Sequence, residues 1–193
     1  MKTQKYILCL ICLSFSLMSS AQKFEKLDKS PMDRAYYPSN AAKRTFIKSD
    51  AKKAAAEPLI RVTYSRPAKK GREIFGKLLK YDEAWRIGAN ESTEMLFMTD
   101  VVFGGTTVSA GRYSLIVIPT ENEWTLKLNT VLDGWGNYGY EPSQDIATIT
   151  SPVKKDNKEV EHLSMALYEA SDNVVHLKIG WGTHSAEFPI TLK

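Results

Sequence analysis

The chain has almost no cysteine. Of its 193 residues only Cys9 and Cys12 carry a thiol, and both lie in the first apolar run. With that run removed, a cysteine nucleophile, a thiolate metal site and a disulfide scaffold are excluded. Histidine is nearly as scarce, and His162, His176 and His184 lack metal-binding spacing. The first two fall on expected outward strand faces and the third at the start of the last strand. All three read as surface residues, and neither a metal nor another cofactor is implied. There is no G-x-S-x-G elbow and no glycine-rich phosphate loop followed by lysine. Nor is there an excess of one charge: the formal net charge is +4, with no basic stripe for nucleic acid. Finally, no apolar run is long. Ile7 to Met18 gives about 12 residues where a bilayer span needs about 20.

What that short run does fit is export. Lys2 and Lys5 precede it, and Ser19-Ser20-Ala21 follow with the small residues a signal peptidase reads. Cleavage is expected after Ala21, giving a secreted or periplasmic product without a membrane span. A lipid anchor would need a cysteine just after the run, and both lie within it. Residues 22–193 are enough to bury a core without disulfides. Losing Lys2 and Lys5 lowers the formal charge by two.

Three segments follow: a signal peptide at 1–21, an N-terminal arm at 22–57, and a single domain at 58–193. In the arm, Ser30-Pro31-Met32-Asp33 has the chemistry of a helix start, so a short helix is expected there, ending at Pro38. The basic, alanine-rich stretch from Lys43 to Glu57 reads as a linker in preference to a surface helix. From Leu59 the apolar period becomes two. Ile60/Val62/Tyr64, Trp124/Leu126/Leu128, Leu163/Met165/Leu167, Val175/Leu177/Ile179/Trp181 and Ala186/Phe188/Ile190/Leu192 each form one face of a half-buried strand. Glu94–Thr99 and Arg112–Ile118 are apolar on both faces and should be central. Gly104-Gly105, Ala110-Gly111 and Asp172-Asn173 are expected hairpin turns. Pro189 places the last strand at an edge or on a bulge. The expected fold is all-β, an antiparallel β-sandwich or jelly roll-like domain.

Several motifs depart from this alternation. They are Tyr64-Ser65-Arg66-Pro67, Lys70 through Gly76 (KGREIFG), Trp85 through Glu91 (WRIGANE), Ala110-Gly111-Arg112-Tyr113-Ser114-Leu115, Ile118-Pro119 and Trp124. In this order they resemble the signature of the DUF2911 family, secreted proteins mostly from Bacteroidetes. The resemblance reaches upstream to Ser30–Asp33 and downstream through Trp135-Gly136. It implies a secreted bacterial protein and brings no activity, substrate or cofactor.

Two constellations are candidates for chemistry. Arg66, Arg72 and Arg86 lie near Glu73, Glu91 and Asp100, and a guanidinium fork suits paired contacts to a carboxylate or phosphate. They form either an anion or sugar-hydroxyl pocket, with Asn90 and Glu91 contributing, or a structural network clamping loops to the sandwich. Trp135-Gly136-Asn137-Tyr138-Gly139-Tyr140 puts three rings among glycines, able to stack on a sugar or to cap the sandwich. The leading expectation is a non-catalytic binding or accessory domain for a carbohydrate or peptide ligand. Its site is Arg72, Trp85, Arg86, Asn90, Glu91, Trp135 and Tyr138. The alternatives are a hydrolase pairing Glu91 with an aspartate, Asp133 or Asp145, and a structural cell-envelope protein.

Overall fold

The computed structural model describes residues 23–193, so the expected signal peptide lies outside the described residues. Alternating strands bury one face each and pair antiparallel. The six-stranded sheet runs in the order β1 (Met32–Tyr37), β2 (Ile60–Ser65), β3 (Glu94–Phe97), β6 (Gly111–Pro119), β7 (Glu123–Asn129), β8 (Asp145–Pro152). The second sheet runs β5 (Thr106–Val108), β4 (Val101–Phe103), β10 (Val174–Leu192), β9 (Lys154–Ser171). Every expected apolar row faces the space between them. Val62, Leu115, Trp124 and Leu128 from one sheet meet Leu163, Val175, Ile179 and Phe188 from the other, all fully buried. β3 and β6, apolar on both faces, are the two central strands of their sheet.

Four expectations need correction. Residues 30–33 do not start a helix, because Met32–Tyr37 pairs along its whole length with β2. That ladder outweighs the local capping chemistry of Ser30 and Pro31. It also makes part of the arm an edge strand of the sandwich. The stretch from Lys43 to Glu57 is not a loose linker: it holds most of a 3-10 turn (Ala41–Phe46) and a helix (Asp50–Ala54) capped by Ser49. Ala110-Gly111 is no hairpin, since β5 and β6 belong to different sheets. Pro189 is neither at an edge nor on a bulge. It lies between the part of β10 that pairs with β9 and the part that pairs with β4, so its missing N–H removes no ladder bond. The turns at Gly104-Gly105 and Asp172-Asn173 do close hairpins.

Arg66 joins three parts of this frame. Its Nη1 donates to Asp33 Oδ2 at 2.8 Å, its Nη2 to Ser164 Oγ at 2.9 Å, and its Nε to the Leu163 carbonyl at 3.1 Å. About a third of the side chain is exposed, so solvent weakens the ion pair. Arg66→Ala is expected to reduce stability by about 1–2 kcal/mol, which thermal unfolding reads as a few degrees. An unchanged midpoint would show that the clamp is idle.

Candidate functional site

Between β2 and β3 the chain leaves the sheet for residues 66–93 and is pinned at two places. The first is a distortion of the second sheet. Gly180 pairs with Ser164, Gly182 with Val160 and His184 with Lys155, so β9 bulges opposite a few residues of β10. The bulged stretch takes the excursion as an extra partner: the Lys69 N–H donates to the Glu161 carbonyl at 2.7 Å and the Leu163 N–H to Pro67 at 3.1 Å. The second pin is β6, which outruns β3. Trp85 takes the place beside it, exchanging backbone bonds of 2.8 and 2.9 Å with Val117.

These pins put Trp85 inside the core. It is 4 % exposed. Its ring stacks on Trp181 at 6.1 Å and meets Phe75 and Trp124 edge-on. Next in the chain is a kink. Ile87 has φ +55° and Asn90 φ +62°. Asparagine tolerates that region, but a β-branched residue there carries about 1–3 kcal/mol of strain. Complete burial of Ile87 and a 2.9 Å bond from Thr93 Oγ1 to its carbonyl hold the kink beside Arg86.

The arginines divide into two kinds. Arg66 and Arg112 are neutralised, by Asp33 and by Glu94 with Asp133. Among the described residues Arg72 donates only to the carbonyls of Lys69 and Ala68, at 2.9 and 2.7 Å. Arg86 makes one long bond, from Nη1 to Asn137 Oδ1 at 3.4 Å, and its Nε is buried without a partner. Among the described residues neither Arg72 nor Arg86 has a carboxylate oxygen within 4.0 Å. Both line one cleft of about 360 Å³, with Leu78, Trp85, Ala89 and Trp181.

The aromatic loop closes over Arg86. Ser92 Oγ lies 3.1 Å from the carbonyl of Gly134 and 2.6 Å from that of Gly136, and Asn137 Nδ2 donates to the Ala84 carbonyl at 2.9 Å. Gly136 has φ +71°, and a Cβ on it would come within 2.5 Å of Arg86 Cδ. Trp135 and Tyr138 are left 59 % and 85 % exposed. The structure therefore gathers Arg72, Trp85 and Arg86 at one cleft and brings the loop of Trp135 and Tyr138 against Arg86. Asn90 is a half-buried turn residue. Glu91 is exposed and lines a separate, smaller cleft of about 200 Å³ with Glu94 and Asp133.

The far end of the loop is tied to Asp145. Burial pushes that carboxyl up, but Asn129, Lys127 and Tyr140, all donating to it, hold it below its ordinary value of 3.8. A depressed carboxyl adds stability above its unfolded pKa and loses it as pH falls through the folded one. The protein should therefore lose stability below about pH 4, and Asp145→Asn should flatten that loss in acid-unfolding curves. Identical slopes for the two would remove Asp145 from the account. With Asp145 committed to three neighbours and Asp133 to Arg112, neither aspartate is left as a ready partner for Glu91.

A second cleft, of about 440 Å³, shares Arg72 and Trp181 with the first. Sequence reasoning did not assign it. Its further lining includes Glu73, Tyr81, Glu121, Lys155 and His184. Glycines within a strand, Gly180 and Gly182 around Trp181, were the available signal, since such glycines mark bulges and close approaches. His184 is not a plain surface residue: its ring lies 5.0 Å from that of Phe75. Burial, with Lys155 nearby, lowers its pKa.

Among the described residues no group of three or more His, Cys, Asp or Glu is placed to hold a metal ion. No helix among them is long and apolar enough to cross a membrane. The family model described as "Protein of unknown function (DUF2911)" matches residues 47–190. No curated protein and no solved structure matches the chain at a significant level.

Proposed function

The chain belongs to the DUF2911 family, whose function is unknown, and from that premise we propose that it is an exported, non-catalytic binding domain for a ligand bearing a carboxylate or phosphate. One observation carries this reading: two guanidinium groups without a carboxylate partner, Arg72 and Arg86, line a single cleft. Cationic side chains at a protein surface are ordinarily solvated or paired. Arg72 is exposed and Arg86 half-buried, and two guanidinium charges without a counter-ion at one concavity suit a ligand anion, which arginine holds through parallel N–H bonds. Trp135 and Tyr138 would add stacking surface beside it, as a sugar or peptide ligand requires. Export rests on the signal-like residues 1–21 alone.

Isothermal titration with galacturonate, an acidic sugar, and with inorganic phosphate tests the reading, with glucose as the neutral control. Saturable binding of either anion, absent with glucose, is expected. No binding of either one would end the proposal.

A further inference from the structure

The second cleft has a charge arrangement of its own. Of its charged residues, Glu159 is neutralised by Lys69 at 2.8 Å, and Arg72 is turned to backbone carbonyls. Three groups remain. Glu73 and Glu121 have no cationic nitrogen within 4.0 Å among the described residues, and Lys155 has no carboxylate oxygen within that distance.

These charges are segregated. Lys155 is the register partner of His184 across β9 and β10, whereas the Asp82 N–H donates to the Pro119 carbonyl at 2.9 Å and holds Tyr81 alongside the turn that carries Glu121. Burial raises the Tyr81 phenol pKa, and Glu121 and Glu73 raise it further. One part of the cleft is thus acidic beside a phenol, and another is basic beside an imidazole. Ile74, Phe75 and Trp181, all buried, line the same cleft. The backbone is specialised here too. Trp181 to His184 line the cleft at the point where β10 loses register with β9, and Gly182 takes φ +62°. Bulges of this kind concentrate where a strand is opened for a site.

All three groups are exposed, and a ligand with a single charge would be matched by one part of the cleft and not by the other. We propose that this cleft binds a zwitterion, an α-amino acid or a whole short peptide with both ends free, with its ammonium at Glu73 and Glu121 and its carboxylate at Lys155. Tyr81 is placed beside the ammonium and His184 beside the carboxylate. The site is distinct from the Arg72–Arg86 cleft, and Arg72 is the only arginine the two share.

The test is titration of the ¹⁵N-labelled protein with alanine, dialanine, N-acetyl-dialanine and dialanine amide, following backbone amide shifts. Saturable shifts centred on Trp181–His184 are expected for dialanine or alanine. Blocking either charge should weaken binding about tenfold or more, the worth of one charge-assisted contact. Alanine binding as well as dialanine assigns the site to free amino acids; dialanine alone assigns it to short peptides with both ends free. Glu73→Gln/Glu121→Gln should reproduce the loss seen with N-acetylation, and Lys155→Ala the loss seen with amidation, each with native-like spectra. Arg86→Ala should leave dialanine binding unchanged while weakening anion binding at the first cleft roughly 10- to 100-fold, so the two proposals fail separately. No saturable shift with any of the four probes, or equal affinity for free and blocked forms, would overturn the zwitterion site.

Discussion

Gly104→Ala should be among the most damaging single substitutions in the protein, lowering stability by about 3 kcal/mol or more. The hairpin joining β4 and β5 turns on two glycines, Gly104 at φ +57° and Gly105 at φ +81°. That is the backbone a tight hairpin needs to match strand twist. Alanine in this region carries about 1 kcal/mol of strain at either site. The two positions then differ completely in their surroundings. A Cβ on Gly105 would meet nothing within 4 Å, whereas one on Gly104 would fall on the Thr148 carbonyl oxygen of β8. The obstacle is backbone in a paired strand, so the hairpin itself must lift, and with it the contact that closes this side of the sandwich. Thermal unfolding should show a fall of roughly 10 °C for Gly104→Ala and only a few degrees for Gly105→Ala. Equal effects would mean that conformational strain alone sets the cost and that the hairpin does not lean on β8.

How much of this was legible beforehand depends on what kind of interaction decided each element. Rows such as Trp124/Leu126/Leu128 and Val175/Leu177/Ile179 declare themselves, because burial of one face is a local pattern with a period of two. β1 did not. Its residues carry a helix-start signature at Ser30-Pro31, and only the ladder with β2, far along the chain, makes them a strand. β8 was also missed: Ile146 is 40 % exposed at this edge of the sheet and blurs the alternation. The site was half legible for a similar reason. Arg66, Arg72 and Arg86 look alike as residue types. Which of them is neutralised depends on Asp33, brought alongside by the β1–β2 pairing. The acidic and basic parts of the second cleft come from Glu73, Glu121 and Lys155, from three separate segments, and no spacing rule joins them.

Arg86→Ala separates scaffold from site most sharply. Were Arg86 part of a buried ion pair, its removal would cost about 3–5 kcal/mol, a fall of roughly 10 °C in midpoint. Its surroundings argue for far less. Among the described residues it has no carboxylate partner, its one side-chain bond is long at 3.4 Å, and its Nε is buried without an acceptor. Truncation removes that unsatisfied donor along with the weak bond. The main loss is the surface on which Gly136 rests. The midpoint should therefore fall by no more than a few degrees. Anion binding should fall far more. A guanidinium–anion contact is worth about 1.5–3 kcal/mol, so the affinity for whichever of galacturonate and phosphate binds should drop by roughly 10- to 100-fold. Arg86→Lys keeps the charge but not the fork, and should recover only part of the loss. A large fall in midpoint with unchanged anion affinity would place Arg86 with Arg66 and Arg112 in the frame of the sandwich. A small fall with lost affinity would leave it as a cation held ready for a ligand.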